Sequence, residues 1–138
     1  MKALTIWQPW AQLIVMGKKF VETRPRKTKI RGLVAIHAGK NNHDQDINKK
    51  DLLYFQQAGV MDLPKAYYGA IIGVVEITAC LPMEMLWGSE YDTLQERAFG
   101  DWRAGRFGYI LKNPVLLQKP FPARGFQGFW PWEEPAGF

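Results

Sequence analysis

Cysteine and histidine are scarce in this 138-residue chain, which has one Cys and two His. The single cysteine, Cys80, excludes an intramolecular disulfide and favours a reducing compartment, so we expect a cytoplasmic protein. Cys80, His37 and His43 are too few for a structural zinc site, which usually takes four nitrogen or sulfur ligands. We therefore expect no metal and no other cofactor.

Long apolar runs and common enzyme motifs are also missing. No run approaches the roughly 18 apolar residues that span a bilayer, and Gln8, Pro9 and Gln12 interrupt any signal-peptide core. We therefore expect no membrane contact. The chain lacks Gly-x-Gly-x-x-Gly, the phosphate-binding Gly-Lys-Ser/Thr loop, His-Glu-x-x-His and Gly-x-Ser-x-Gly, which argues against the enzyme classes that carry these motifs. Without repeats or linker-like stretches, residues 1–138 are predicted to form one domain.

Positive charge is concentrated in one part of the chain. The net charge is +5, but residues 17–50 hold ten basic and three acidic side chains, a net +7. Residues 51–138 hold seven basic and ten acidic side chains, a net −3. A local basic field attracts polyanions, although a merely solvated basic surface has the same composition. Aromatic residues make up 14% of the chain; most must be core, and the others could stack on nucleic-acid bases.

The order of predicted strands and helices indicates an α+β fold. Apolar patterns predict strands at 3–7, 20–24, 32–38, 70–81, 107–112 and 115–121, and short helices at 9–16, about 46–58 and 93–99; residues 82–87 could form another. Gly73 predicts a bulge or bend inside its strand, Asn113-Pro114 predicts a turn, and residues 122–138 look irregular. Closely spaced strands punctuated by Gly and Pro favour a small, mostly antiparallel β-barrel with two or three short helices attached.

Several segments, taken in order, resemble the ASCH domain family, relatives of the PUA domain of RNA-modifying enzymes. They are Trp7-Gln8-Pro9-Trp10-Ala11, Gly17-Lys18-Lys19-Phe20-Val21-Glu22-Thr23-Arg24, Arg31-Gly32-Leu33-Val34-Ala35-Ile36-His37-Ala38, Lys112-Asn113-Pro114 and Gly128-Phe129-Trp130. The resemblance covers nearly the whole chain. It implies a PUA-like β-barrel with a helix after the first strand, and binding of RNA or other nucleic acid in a cleft beside that helix.

Polar residues around the first helix are the candidates for this cleft. Gln8 offers an amide with donors and acceptors, and the start of the helix favours an anion. Glu22 and Arg24 share one strand face, so they could form an ion pair that either belongs to a site or only fixes the strand. His37 could reach the cleft or be a hydrogen-bonded core residue. The predicted nucleic-acid-binding residues are Gln8, Lys19, Glu22, Arg24, Arg26, Arg31, His37, Lys40, Lys112 and Asn113.

The sequence is compatible with two other functions. A hydrolase on the same fold, a ribonuclease or an acetylcytidine-type amidohydrolase, would use Lys19 and Glu22 as catalytic residues. The amidohydrolase pattern pairs the lysine with a threonine three residues later, where this chain has Glu22, and that argues against the activity. The third possibility is a domain that binds a small nucleotide, or a protein partner through the Trp-rich C-terminus. Trp7 could stack on a base, and His43 is expected to be solvated.

Overall fold

A computed structural model describes all of residues 1–138, which form one six-stranded sheet with short helices around it. The strands are β1 (Lys2–Gln8), β2 (Val21–Arg24), β3 (Gly32–Asn42), β4 (Ala70–Pro82), β5 (Phe107–Pro122) and β6 (Phe129–Pro131). The helices are α1 (Trp10–Val15), α2 (Leu52–Ala58), α3 (Met83–Leu86) and α4 (Leu94–Phe99), with 3₁₀ turns at Asp44–Asp46, Lys49–Asp51 and Lys65–Tyr67. This confirms the α+β class.

The sheet has the strand order β2-β5-β4-β3-β1-β6. Only β1 and β3 are parallel, and the other four neighbouring pairs are antiparallel, as the sequence predicts for most of the sheet. Because β1 and β3 run the same way, their C-terminal ends lie at the same edge of the sheet. The loops that follow both strands meet there.

The main core lies between α1 and the sheet. Ala11, Ile14 and Val15 of α1 pack with inward-facing residues of β1, β3, β4 and β5. Leu13 lies on another side of α1 and joins Phe55 of α2 and Phe99 of α4 in a second cluster. The helix is therefore buried on most of its circumference, which explains why such a short helix is stable in this context.

The Trp-rich C-terminal segment belongs to the fold. Trp130 and Trp132 are buried on the other side of the sheet, against Ala3, Ala35 and Ile71. The strand β6 in this segment pairs with β1, so the prediction of an irregular segment was wrong for residues 129–131. None of the helices combines the length and the apolar character needed to cross a membrane.

The sheet departs from the predicted barrel because it is not closed. The two outermost strands, β2 and β6, each pair with one neighbour only, and no ladder joins them to each other. Both are short, with four and three residues. Pro25, which has no backbone N–H to donate, follows β2, and Gly128 with a left-handed φ of 70° precedes β6.

The predicted turn at Asn113-Pro114 is also absent, because β5 runs through it as one strand. Val74 and Glu76 of β4 face Val115 and Lys112 of β5, so β5 carries one extra residue over this stretch. Asn113 adopts a left-handed φ of 53°, a conformation that Asn tolerates better than most residues, and so forms a bulge rather than a turn. The predicted irregularity at Gly73 is confirmed, since the β4–β5 register shifts between Ile71 and Gly73.

Candidate functional site

A cleft of about 1260 Å³ opens at the C-terminal ends of the parallel strands β1 and β3. Its walls come from the end of β1, the end of β2, the end of β3, the segment 46–55, the segment 98–101 and the loop 123–128. All six stretches are distant in sequence from at least one other stretch of the lining. The cleft at the C-terminal ends of β1 and β3 therefore brings together residues from distant parts of the sequence, and no local motif contains them all.

Glu22 and Arg24 form the polar floor of the cleft. Arg24 Nε donates to Glu22 Oε2 at 2.8 Å, and Arg24 Nη2 donates to the carbonyl of Thr5 at 3.1 Å. The Glu22 side chain is 9% exposed and that of Arg24 is 26% exposed. The strand period therefore predicts both the shared face and the ion pair correctly, and both side chains line the cleft.

Lys19 lies beneath the cleft rather than in it. Its side chain is 1% exposed; Nζ donates to the carbonyl of Val21 and lies 3.7 Å from Glu22 Oε1. Gly100 packs over the ammonium, since a side chain built there would come within 3.4 Å of Nζ. Its burial and these contacts make Lys19 the buried cation that holds Glu22 in place.

Glu96 is a buried carboxylate near Lys19 that sequence reasoning missed. Thr93-Leu94-Gln95-Glu96 has the spacing of a capping box, which predicts only that Thr93 caps α4, and Thr93 Oγ1 does accept the N–H of Glu96 at 3.1 Å. The Glu96 carboxylate does not return this bond; instead Oε1 accepts the N–H of Phe20 at 2.6 Å. Burial raises the pKa of Glu96, and the Lys19 charge opposes that rise. Lys19 thus lies among carboxylates from β2 and α4.

Gln8 is enclosed and both ends of its amide are hydrogen-bonded, so it is not placed to contact a ligand. Its Nε2 donates to the carbonyl of Tyr67 at 2.9 Å, and its Oε1 accepts the N–H of Gln12 at 2.8 Å. The side chain is completely buried. The amide that the sequence offers as a base reader instead ties α1 to the 3₁₀ turn before β4.

His37 lines the cleft, but both of its ring nitrogens already have partners. Nε2 lies 2.7 Å from the carbonyl of Ala123, which can only accept, so Nε2 carries the proton. Nδ1 then accepts from Thr5 Oγ1 at 3.2 Å, and Thr5 Oγ1 in turn accepts the indole N–H of Trp130 at 2.8 Å. His37 is therefore a neutral residue that joins β1, β3, β6 and the loop 123–128.

We expect His37 to make stability depend on pH. Burial lowers its pKa from 6.5 in the folded state. As the pH falls through about 6.5, the unfolded chain takes up a proton that the folded chain does not, so stability is lost on acidification, by at most about 1.4 kcal/mol per pH unit. Between pH 7.5 and pH 5.5, the Tm of His37→Gln should fall by less than the Tm of the natural chain. An equal fall in both proteins would refute this assignment.

The charges lining the cleft are balanced, with two cations left unpaired. The basic lining residues other than His37 are Arg24, Lys40, Arg106 and Arg124, and the acidic ones are Glu22, Asp46, Asp51 and Asp101. Arg24 pairs with Glu22, and Arg106 Nε lies 3.4 Å from Asp101 Oδ2. Lys40 and Arg124 are exposed and form no ion pair. They are the cations of the cleft that remain available to an anion.

Two aromatic side chains on the cleft are half exposed. Trp7 is 56% exposed and Phe126 is 54% exposed. His43, predicted to be solvated, instead stacks on Trp7 with ring centroids 3.7 Å apart and an interplanar angle of 5°, and its Nδ1 lies 2.7 Å from Asp46 Oδ2. Arg124 and Phe126 were missed because residues 122–128 carry only turn-forming Pro and Gly signals.

The remaining predicted residues lie away from the cleft lining. Arg26 and Arg31 are exposed in the segment that leaves the cleft at Arg24 and leads to the start of β3. Lys112 lies with Nζ 5.1 Å from the centroid of the Tyr91 ring, and Asn113 donates to Glu76 Oε1 at 3.0 Å. No group of three or more His, Cys, Asp or Glu side chains is arranged to bind a metal ion.

Comparison with known proteins identifies relatives along most of the chain. The model of the ASCH domain matches residues 4–113. Proteins named "Activating signal cointegrator 1" from Mus musculus and Homo sapiens are 32% and 31% identical to this chain in alignments of 130 residues that cover 92% of it. The match takes up 21% of each relative, so the chain spans about a fifth of their length.

Solved structures share the fold at low sequence identity. The crystal structure of ASCH from Zymomonas mobilis has a TM-score of 0.51 and 17% identity, covering 88% of this chain and 72% of that one. A mutant of the same protein has a TM-score of 0.56 and 16% identity, covering 96% and 88%. At this identity the likeness extends to the fold.

Proposed function

The chain belongs to the ASCH domain family, and we propose that it binds nucleic acid, RNA in particular, in the cleft beside α1. The observation that carries the proposal is the pair of exposed, unpaired cations Lys40 and Arg124 on the lining of a cleft of about 1260 Å³. A phosphate that enters the cleft meets these two side chains, while Glu22 and Arg24 offer hydrogen bonds to a base edge.

The exposed basic segment beside the cleft extends this surface. Arg26, Lys27, Lys29 and Arg31 are all exposed, and the segment starts directly after Arg24 of the cleft floor. Arg31 holds a defined conformation, since its guanidinium donates to the carbonyls of Thr28 and Ile30 at 3.0 and 2.8 Å. Backbone phosphates on either side of a nucleotide in the cleft would be contacted here.

We expect the affinity for RNA to depend on salt and to fall when the cations named above are replaced. Fluorescence anisotropy with a labelled single-stranded RNA of about twelve nucleotides should give a log–log salt slope that becomes less negative by about 0.7 for each phosphate contact removed. Lys40→Ala, Arg124→Ala and Arg26→Ala/Arg31→Ala should each weaken binding. Lys119→Ala is the matched control, because Lys119 is an exposed lysine of β5 that lies outside the cleft. Salt-independent binding, or equal loss in the control, would contradict the proposal.

The hydrolase alternative lacks a comparable observation. It needs Lys19 to reach a substrate, whereas the Lys19 ammonium is enclosed, donates to the Val21 carbonyl and forms an ion pair with Glu22. Glu22 is the one member of the pair that lines the cleft. Analysing the RNA after the binding experiment for cleavage or deacetylation tests this alternative directly. RNA turnover that Glu22→Gln abolishes would favour an enzyme.

Docking of a protein partner through the C-terminal tryptophans is not favoured either. Trp130 and Trp132 are 6% and 8% exposed, because they cover the outer side of the sheet. The relatives' name describes a cointegrator, but the chain matches only a fifth of those proteins. A partner would therefore have to use a surface other than these two side chains.

A further inference from the structure

Trp7 and Phe126 are unusual among the aromatic residues on the cleft. Trp10 packs edge-to-face on Phe55, and Phe55 packs in the same way on Phe99, so that set supports the core. Trp7 and Phe126, in contrast, are more than half exposed. Exposed aromatic faces on a concave polar surface are typical of sites that stack on flat ligands.

The Trp7 ring is held in one orientation. Trp7 lies near the end of β1, directly before the buried Gln8. The His43 ring stacks parallel on one face of the indole, with the ring centroids 3.7 Å apart. Asp46 in turn lies 2.7 Å from the His43 ring. Because His43 and Asp46 already fix the position of the indole, a ligand that stacks on it does not have to order the Trp7 side chain first.

Phe126 is presented by a loop that is fixed at both ends and in its middle. At the ends, the N–H of Ala123 donates to the carbonyl of Gly69 at 3.1 Å, and the N–H of Thr5 donates to the carbonyl of Gly128 at 3.2 Å. In the middle, Gly125 is pressed against the His37 ring so closely that a side chain there would come within 2.5 Å of Nδ1.

The surroundings of Phe126 suit a nucleotide. Its ring packs edge-to-face on Trp130 at 5.4 Å, and the Arg124 guanidinium lies over one face of it, 5.6 Å from the centroid. This is a cation–π contact within the protein, and a ligand that has a flat ring joined to a phosphate offers a partner to each of the two side chains. The loop 123–128 lies outside the stretch 4–113 that the family model matches.

We propose that Trp7 and Phe126 form a subsite for one unpaired nucleobase, with Arg124 and Lys40 contacting its phosphate. This inference rests on the proposed function and narrows it to single-stranded or extruded nucleotides. A base inside a duplex has both faces stacked on its neighbours, so only an unpaired or flipped-out base can offer a face to these side chains. The ligand class is therefore a nucleotide in a flexible single-stranded segment.

The test compares single-stranded RNA with a blunt duplex of the same sequence, using the purified full chain. The natural protein should bind the single strand more tightly. Trp7→Leu and Phe126→Leu should each weaken single-strand binding about five- to hundredfold, the range expected for the loss of one base–aromatic stack. Phe126→Tyr, which keeps the ring, should retain most of the affinity. Phe121→Leu, which removes an exposed aromatic outside the cleft, should bind like the natural protein.

Each outcome separates the subsite from the broader function. If the natural protein binds neither RNA at low salt, both proposals are refuted. If it binds with a clear salt dependence but the Trp7 and Phe126 variants bind as well as Phe121→Leu, only the base subsite is refuted. Equal affinity for single strand and duplex would refute the subsite as well. Thermal melts verify that the variants fold, which their exposed side chains lead us to expect.

Discussion

Replacing Lys19 with alanine is expected to lower the free energy of unfolding by about 3–5 kcal/mol, the range for removing one partner of a buried ion pair. The Lys19 side chain is 1% exposed, and Glu96 and Glu22 are nearly as buried. Without the ammonium, the Glu96 carboxylate keeps only its bonds from backbone N–H groups, and Glu22 keeps only Arg24. Urea unfolding at pH 7 measures the loss.

Lys18→Ala is the matched control, because Lys18 precedes Lys19 but is exposed. Its effect should stay within about 0.5 kcal/mol. Lys19→Met refills the space without the charge and should recover only part of the loss. A loss below about 1 kcal/mol for Lys19→Ala, comparable to that of an exposed ion pair, would show that the carboxylates do not depend on this cation.

The pH dependence of the Lys19→Ala loss has a definite sign. Burial already raises the pKa of Glu96 above 4.5 in the folded chain, and removing Lys19 takes away the charge that opposes the rise. The folded variant therefore binds a proton more tightly than the unfolded chain, so its stability increases as the pH falls towards 4.5. The difference between variant and natural protein should accordingly shrink between pH 7 and pH 5.

Local patterns were enough to predict most of the strands and part of the site. The period of two along Phe20 to Arg24 places Glu22 and Arg24 on one face, and the structure pairs them at 2.8 Å. Gly73 inside an apolar run indicated the shift in register that the β4–β5 ladder contains. Both features depend on residues a few positions apart, which is the range over which backbone periodicity holds.

The missed features depend on contacts between distant parts of the chain. The bond from Phe20 to Glu96 spans 76 residues, and the one between His37 and Ala123 spans 86. Closure of the sheet likewise depends on how two short edge strands end, which apolar patterning does not encode. The residues around Asn113 are equally compatible with a turn and with a bulge. The pairing of β5 with β4 before and after Asn113 makes it a bulge.

Gly73→Ala is the second substitution from which we expect a large effect. A methyl group at this position would overlap the carbonyl oxygen of Val115 and come within 2.7 Å of Val15 Cβ. Because one of these neighbours is the backbone of β5 and the other is on the buried helix α1, neither can yield cheaply. The expected loss is about 3 kcal/mol, at the upper end of the usual range for overpacking. Chemical denaturation measures it.

Gly39→Ala provides the comparison, since a methyl group there would meet Trp7 at an ordinary contact distance of 3.6 Å. It should cost far less than Gly73→Ala, and similar losses would contradict the packing argument. The double variant Gly73→Ala/Val15→Gly separates the two clashes, because Val15→Gly removes the whole helix side chain, its Cβ included, and leaves the Val115 carbonyl in place. Recovery of stability in the double variant relative to Gly73→Ala alone would assign the cost to the contact between α1 and β4. That same contact seats the helix beside the cleft, so an unrecovered loss would instead locate the constraint in the β4–β5 ladder.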